Sequence, residues 1–257
     1  MADWKPDHYA RFRDLRLRPA LDLLAQVPDI PRGPVVDLGC GDGAAAGVLR
    51  ARFRDHPLEG VDSSPAMLGQ ASATGLYDRL IDADIALWQA DEPAALIFSN
   101  AALHWLGDHA ALLPRLAGML AHGGTLAVQM PRQHAAPSHR FLRDFAADMF
   151  PGRWDAGLWQ APVAPPVDYC RLLSPLGAVG VWQTDYVQRL VPAAEGGHPV
   201  RRFTEATAMR PYLERMSATE AQAFTARYEA ALHSAYPSEA DGSVLFPFRR
   251  LFFTLTR

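Results

Sequence analysis

Between residues 34 and 44 a short apolar strand runs straight into glycines. Pro34, Val35 and Val36 lead to Asp37-Leu38-Gly39-Cys40-Gly41-Asp42-Gly43, and an alanine-rich segment opens at Ala44. A strand that turns this sharply into a helix reads as a nucleotide-binding turn and commits the chain to βαβ construction. Gly39 permits the turn, and Gly41 and Gly43 remove side chains where a ligand must lie on the backbone. Ala44 is small enough for the helix to pack close to the strand. The helix N-terminus then offers N–H groups to polar parts of the ligand. Many loops are glycine-rich, so the flanking residues carry the rest of the argument.

Asp62 is the second element, about twenty residues on, where the strand Leu58-Glu59-Gly60-Val61 should stop; an acid there can accept both hydroxyls of a ribose. A helix N-cap is the alternative role. Ser63 or Ser64 ahead of Pro65 already supplies that cap. The run 77 to 85 is a weak strand ending in acids, and Asp84 is placed either to accept from an adenine amino group or to cap the following loop. Residues 94 to 100 form the continuous apolar run of a central parallel strand, which delivers Asn100 to its carboxyl end, with His104 and Trp105 just beyond. A helix over 108 to 121 is expected to stop at His122-Gly123-Gly124, whose glycines suit a left-handed cap, before a fifth strand over 125 to 130.

The expected fold class is α/β: a Rossmann-like, doubly wound, mostly parallel sheet with right-handed crossovers, an antiparallel C-terminal edge strand and a helical cap or insertion. The C-terminal strand, 249 to 256, is expected at the sheet edge beside a strand over 181 to 187. Leu17, Ala20, Leu21 and Leu24 mark an N-terminal amphipathic helix with arginines on its other face. Trp4, His8 and Tyr9 precede it, and Trp4 and Tyr9 are candidates to fold over a bound nucleoside. From 132 to 166 the composition shifts to Pro, Trp, His and Arg, with helical spacing at Phe141, Leu142, Phe145 and Met149. Further helices are expected over 65 to 73, 169 to 176, 199 to 215 and 217 to 235, the last opening on the capping-box pattern Ser217-Ala218-Thr219-Glu220. One domain over 1–257 is expected: a cover helix in 1–30, a cofactor-binding core in 31–131, and a cap or substrate region in 132–166 and 195–240.

Composition mainly narrows the partners. A formal charge of −3 and a pI near 6.3 give no electrostatic footprint for nucleic acid or a membrane surface, so a small-molecule substrate is expected. Cys40 and Cys170 are too few for a disulfide framework, and no Cys/His spacing suggests a metal. No stretch approaches bilayer-spanning length, and the N-terminus has no apolar run behind its charges. A soluble, monomeric, cytoplasmic protein is the expectation.

Asp37 ahead of the first glycine, together with Asp62-Ser63-Ser64-Pro65-Ala66-Met67, resembles class I S-adenosylmethionine-dependent methyltransferases. Further segments narrow the resemblance: Asp3-Trp4-Lys5-Pro6 with Tyr9, Arg18-Pro19-Ala20, Ala83-Asp84-Ile85, Asn100-Ala101-Ala102-Leu103-His104-Trp105-Leu106, Leu126-Ala127-Val128-Gln129-Met130-Pro131, Met209-Arg210-Pro211-Tyr212-Leu213 and Tyr236-Pro237. Together they are similar to the trans-aconitate 2-methyltransferase family. The resemblance implies methyl transfer from S-adenosylmethionine to a carboxylate of trans-aconitate, giving a monomethyl ester and S-adenosylhomocysteine. It implies cofactor contacts at Tyr9, Asp37, Gly39, Cys40 and Gly41, at Asp62, Ser63 and Met67, and at Asp84, Ile85 and Asn100. Asp42 stands where the family more often has proline, and Arg132-Gln133-His134 replaces a different polar run where substrate should sit.

A carboxylate acceptor has a reference pKa near 4, so it is ionised at neutral pH and needs no base. No catalytic residue and no metal is therefore assigned. A polycarboxylate does need cations for the carboxylates that do not react, and arginine binds them bidentately. Arg132, Arg210 and Arg249 are the candidates, each with a surface role as the alternative; His104, Trp105 and Tyr212 complete the acceptor set. Another small acid or an acyl-carrier-linked carboxylate is the alternative acceptor. A dehydrogenase, against which Asp37 argues, and a non-catalytic module that retains the fold are the other classes.

Overall fold

A computed structural model describes residues 13–154, 160–192, 196–205 and 207–257, with side chains from residue 17 onward. Trp4 and Tyr9, the candidates to fold over a bound nucleoside, lie outside the described residues. The chain divides into two compact units: Met1–Pro131, Ala164–Gln183 and Arg250–Arg257 form the first, and Arg132–Val163 with Thr184–Arg249 form the second.

The first unit is built on parallel strands. β1 (Val35–Leu38), β2 (Leu58–Asp62), β3 (Arg79–Asp82), β4 (Ala94–Asn100) and β5 (Leu120–Pro131) alternate with α1 (Arg13–Leu24), α2 (Ala46–Arg52), α3 (Pro65–Ala73) and α4 (His109–Gly118). The seven-stranded order is β3-β2-β1-β4-β5-β7-β6, where β6 is Ala178–Leu190 and β7 is Val244–Thr256. β1 is fully buried and parallel to both β2 and β4, Val35 pairing with Leu58 on one side and Leu96 on the other. Strand order therefore reverses between β1 and β4, and open α/β sheets bind ligands outside the carboxyl ends at that reversal.

Local chemistry sets the helix ends. Ser64 sits in an extended conformation and accepts the Met67 N–H, with Pro65 in the first turn, so α3 starts where the sequence indicates. Asp108 caps α4 from a left-handed conformation by accepting the Ala111 N–H. α4 nevertheless ends at Gly118, short of the expected 121. Gly123 and Gly124 belong to β5 instead: the Gly123 N–H donates to Arg257 O at 2.7 Å, and Arg257 N–H returns to Gly124 O at 3.0 Å. A terminal strand pairing across the glycines took the role assigned to a helix cap. In α1, Ala20, Leu23 and Leu24 are buried while Leu21 is exposed, so the buried stripe is shifted from the one expected.

The C-terminal strand is antiparallel and lies beside β6, as expected, but one position in from the edge. β7 pairs antiparallel with β5, from Thr125↔Thr256 to Pro131↔Arg250, and β6 takes the edge. Leu251, Phe252, Phe253 and Leu255 are all buried, and Trp182 of β6 stacks on Phe252 at 5.1 Å.

The second unit is mainly helical. α5 (Pro137–Met149), α7 (Pro199–Glu205), α8 (Arg210–Leu213) and α9 (Ala218–Ala235) belong to it, while α6 (Pro166–Leu173) belongs to the first. The single helix expected over 199 to 215 is two short ones. Pro211 lies in the first turn of α8, where its missing N–H is tolerated but a continuing helix would not be. Ser217 and Glu220 form the expected capping box on α9. Tyr228 of α9 is fully buried; its hydroxyl donates to Ser138 O at 2.8 Å and lies 3.0 Å from Thr204 Oγ1, tying α9 to α5 and α7. Tyr228→Phe leaves a buried carbonyl and hydroxyl without this partner, and the expected loss is roughly 1–3 kcal/mol of stability, read from urea unfolding followed by circular dichroism.

Candidate functional site

The turn after β1 is held from two sides. Gly39 and Cys40 both donate their N–H to Val61 O, at 2.8 and 3.0 Å, fixing the turn to the end of β2. Asp62, half-buried at that strand end, accepts Gly41 N–H on Oδ2 and Ser64 N–H on Oδ1, both at 2.9 Å. The carboxylate is thus oriented by two backbone donors and retains lone pairs for further donors. Ser64 is the cap of α3, so Asp62 is not needed in that role. Ser63 is exposed beside it and Met67 is buried beneath.

Gly39, at φ +78, admits no side chain: a Cβ there would lie 2.2 Å from Ala102 Cβ and 3.3 Å from Ile85 Cδ1. The structure thereby brings Gly39, Ile85 and the segment after β4 together. Gly41, at φ +55, has nothing within 4 Å of where a Cβ would stand, so the space above its backbone is open. The helix beyond is shorter than expected; α2 starts at Ala46 rather than Ala44 and has seven residues.

Asp37 is buried in β1, and its Oδ2 accepts the Tyr77 hydroxyl at 2.7 Å. Burial, reinforced by the negative charges of Asp62 and Asp42, pushes its carboxyl up to about 7 against the lowering effect of the Tyr77 hydrogen bond. Burial also raises the Cys40 thiol, which keeps it protonated and agrees with a packing role. Asp84 is exposed just past β3, where its Oδ1 accepts Ala86 N–H at 2.8 Å, the capping geometry that was the alternative to adenine recognition.

Asn100 ends β4 opposite Gln129, and its Oδ1 is buried with no hydrogen-bond partner among the described residues. Ala101 follows at φ 57, a conformation costly for alanine, and its N–H is taken by Gln129 O. The 3-10 turn Leu103–Trp105 then presents His104 and Trp105, their ring centroids 4.6 Å apart, with the indole residue 56% exposed. An unsatisfied buried acceptor, an open glycine backbone and an oriented carboxylate at one strand-order reversal fit a nucleoside carrying hydroxyl and amine donors.

The second unit holds a cavity of about 320 Å³ lined by Arg132 and Arg249 among others. Arg249 Nε and Nη2 make a forked pair with the two oxygens of Asp185, at 2.8 and 2.9 Å. Arg210 pairs with Glu214 one helical turn on and is not among the lining residues. Tyr212 is buried in packing with Trp154 and Phe224. Three contributors escaped the sequence reading. Tyr77 left no motif; Gly60 sits inside a strand, where a Cβ would approach Leu80, Tyr77 and Cys40 within 3.1 Å; and Arg250 is buried, donating to Gln129 Oε1. An interior strand glycine is the signal that was available for Gly60. Among the described residues no group of His, Cys, Asp and Glu is arranged to hold a metal, and no helix is long and apolar enough to cross a membrane.

Known proteins carry the same frame. A putative methyltransferase from Bacillus halodurans superposes with a TM-score of 0.57 at 14% identity, over 92% of this chain and 97% of that one. Phosphoethanolamine N-methyltransferase 2 of Haemonchus contortus, solved with S-adenosylhomocysteine, gives 0.54 at 17% identity over 93% of this chain and 52% of that one. At those identities the likeness is one of fold. A methyltransferase domain family model matches residues 9–174, which makes the chain a methyltransferase-domain protein. Curated relatives narrow it: trans-aconitate 2-methyltransferase of Methylobacterium radiotolerans is 43% identical over 98% of this chain and 97% of its own length, and that of Azoarcus is 40% identical over the whole of both. The chain belongs to the trans-aconitate 2-methyltransferase family.

The raised Asp37 carboxyl predicts a specific pH dependence. Its contribution to stability is fully present below the ordinary value of 3.8 and is lost as pH rises toward about 7, because folding favours the protonated form. A rise of about 3 above the ordinary value corresponds to about 4 kcal/mol at most. Asp37→Asn removes the titration, so its stability relative to the parent protein should climb between pH 4 and pH 7, as measured by denaturant unfolding without cofactor. A constant difference across that window would refute the assignment.

Proposed function

We propose that the protein transfers a methyl group from S-adenosylmethionine to a carboxylate of trans-aconitate. The observation that carries this reading is full-length identity of 40–43% to relatives of that name. S-adenosylmethionine, when bound, supplies an electrophilic methyl group on a sulfonium centre. Asp62 accepts from the ribose, Asp84 and Ile85 border the adenine, and Asn100 Oδ1 accepts a donor that none of the described residues supplies. Gly39, Cys40 and Gly41 offer a backbone surface, the buried Asp37 carboxyl of β1 is drawn toward its charged form when a cation binds beside it, and Ser63 and Met67 close the α3 side. Tyr9 is a further proposed cofactor contact.

For the acceptor, no residue need remove a proton, since a carboxylate is already ionised at neutral pH. The chain's part is to orient and desolvate the acid, and orientation can supply roughly 7 to 11 kcal/mol of the barrier. Arg132 and Arg249 are the proposed carboxylate partners in the second unit, with Arg210 and Tyr212 as further candidates there and His104 and Trp105 in the first. The same reading has the enzyme act as a cytoplasmic monomer on two small soluble reactants.

Formation of S-adenosylhomocysteine should be selective for trans-aconitate over cis-aconitate, citrate, isocitrate and malonate. Equal or zero turnover with all of them, in protein that binds the cofactor, would sink the acceptor assignment. Asp62→Asn tests the cofactor side: the amide must turn its NH2 toward one backbone N–H, and the dissociation constant for S-adenosylhomocysteine should rise about 10- to 100-fold. Unchanged affinity by calorimetry would remove Asp62 from the site.

A further inference from the structure

The cavity of the second unit places two guanidinium-bearing residues directly opposite one another. Arg132 N–H donates to Arg249 O at 2.9 Å, one step beyond the Pro131↔Arg250 pair, and residues opposite across an antiparallel ladder project on the same face. Like charges in that relation repel. Buried Gln133 makes the placement rigid: its Nε2 donates to Pro247 O at 3.0 Å and its Oε1 accepts Arg249 N–H at 3.1 Å. Asp185, on the same cavity wall, fills the Arg249 fork with its two oxygens. That geometry is the one a ligand carboxylate would adopt on arginine. Tyr236 also lines the cavity; its oxygen accepts Ser138 N–H, which leaves its O–H proton for a ligand oxygen.

We propose that this cavity is the carboxylate-recognition site of the acceptor, and that Asp185 is an internal stand-in for one acceptor carboxylate at Arg249. The proposal rests on the reading of the enzyme as one that methylates a polycarboxylic acid. An entering acid must displace Asp185 from the Arg249 fork. An acid with several carboxylates can engage Arg132 and compete for Arg249 together. An acid with one carboxylate gains too little to do so, which makes Asp185 a specificity-determining residue. The Arg249–Asp185 pair is nearly half exposed on both sides, so breaking it should not unfold the chain.

The test is calorimetric binding of trans-aconitate, citrate and acetate to the full chain in saturating S-adenosylhomocysteine. Asp185→Asn should tighten tricarboxylate binding at least threefold and raise acetate affinity more than that in proportion. Arg249→Gln should weaken tricarboxylate binding at least tenfold, and the Asp185→Asn change should have no further effect in the Arg249→Gln background. No tricarboxylate binding by the parent chain, an inert Asp185→Asn, or an Asp185 effect that persists without Arg249 would each overturn the proposal. Tricarboxylate binding with these responses but without methyl transfer would leave the site standing and overturn the function reading alone.

Discussion

The close approach of Gly39 to Ala102 is the constraint on which the cofactor side of the first unit depends. With a prospective Cβ only 2.2 Å from Ala102 Cβ, the turn after β1 crosses the segment after β4 at backbone distance, and no other residue type fits. The crossing is stable because Val61 O takes two N–H groups of the turn while Asp62 takes a third. Ala101, held at φ 57 by its bond to Gln129, bends the chain sharply after Asn100 and so leaves the Asn100 carboxamide at the strand end. Strain of about 1–3 kcal/mol at a non-glycine residue persists only where its surroundings over-determine it. Here the β4 and β5 pairing does so.

That arrangement was largely legible because its signals are local. Ser64-Pro65 fixes the start of α3 by a cap and a missing N–H, and the apolar run 94 to 100 announces a strand covered on both faces. The failures share a cause: a long-range partner changed the meaning of a local pattern. Gly123-Gly124 has the composition of a helix cap, but the C-terminal residues supply partners for its backbone from more than a hundred positions away. β7 lies inside the edge because β6 pairs with its outer side, and nothing near β7 in the chain reveals which strands flank it. Tyr77 was unreadable for the same reason, since its partner Asp37 lies 40 residues earlier.

The arginines show where position along a chain stops being informative. Arg249 and Arg250 are consecutive in a strand, so their side chains leave opposite faces, and one guanidinium meets Asp185 while its neighbour is buried against Gln129. Arg249, and not Arg250, is a candidate from sequence, and local sequence alone does not separate them, because a one-residue shift of register exchanges the two environments. Register is set by the Thr125↔Thr256 to Pro131↔Arg250 ladder, a property of two strands read together. Arg210 illustrates the weaker inference from a shared segment alone: its Nε is engaged by Glu214, as expected of a helical pair four residues apart.

Two acids of the first turn and its neighbour serve different physical purposes. Asp62 lies half-buried at its strand end, where two backbone donors aim its carboxylate. Asp37 is buried next to other acids with one hydroxyl for company, so folding raises the cost of its charge instead. A cation bound beside such a carboxyl draws it toward its charged form, and a neutral ligand does not. In the methyltransferase reading the cofactor is a sulfonium that also carries an ammonium group. The electrostatic cost built into β1 would then be recovered on binding, which gives a buried carboxylate a reason to occupy a position where alanine or valine would fold more stably.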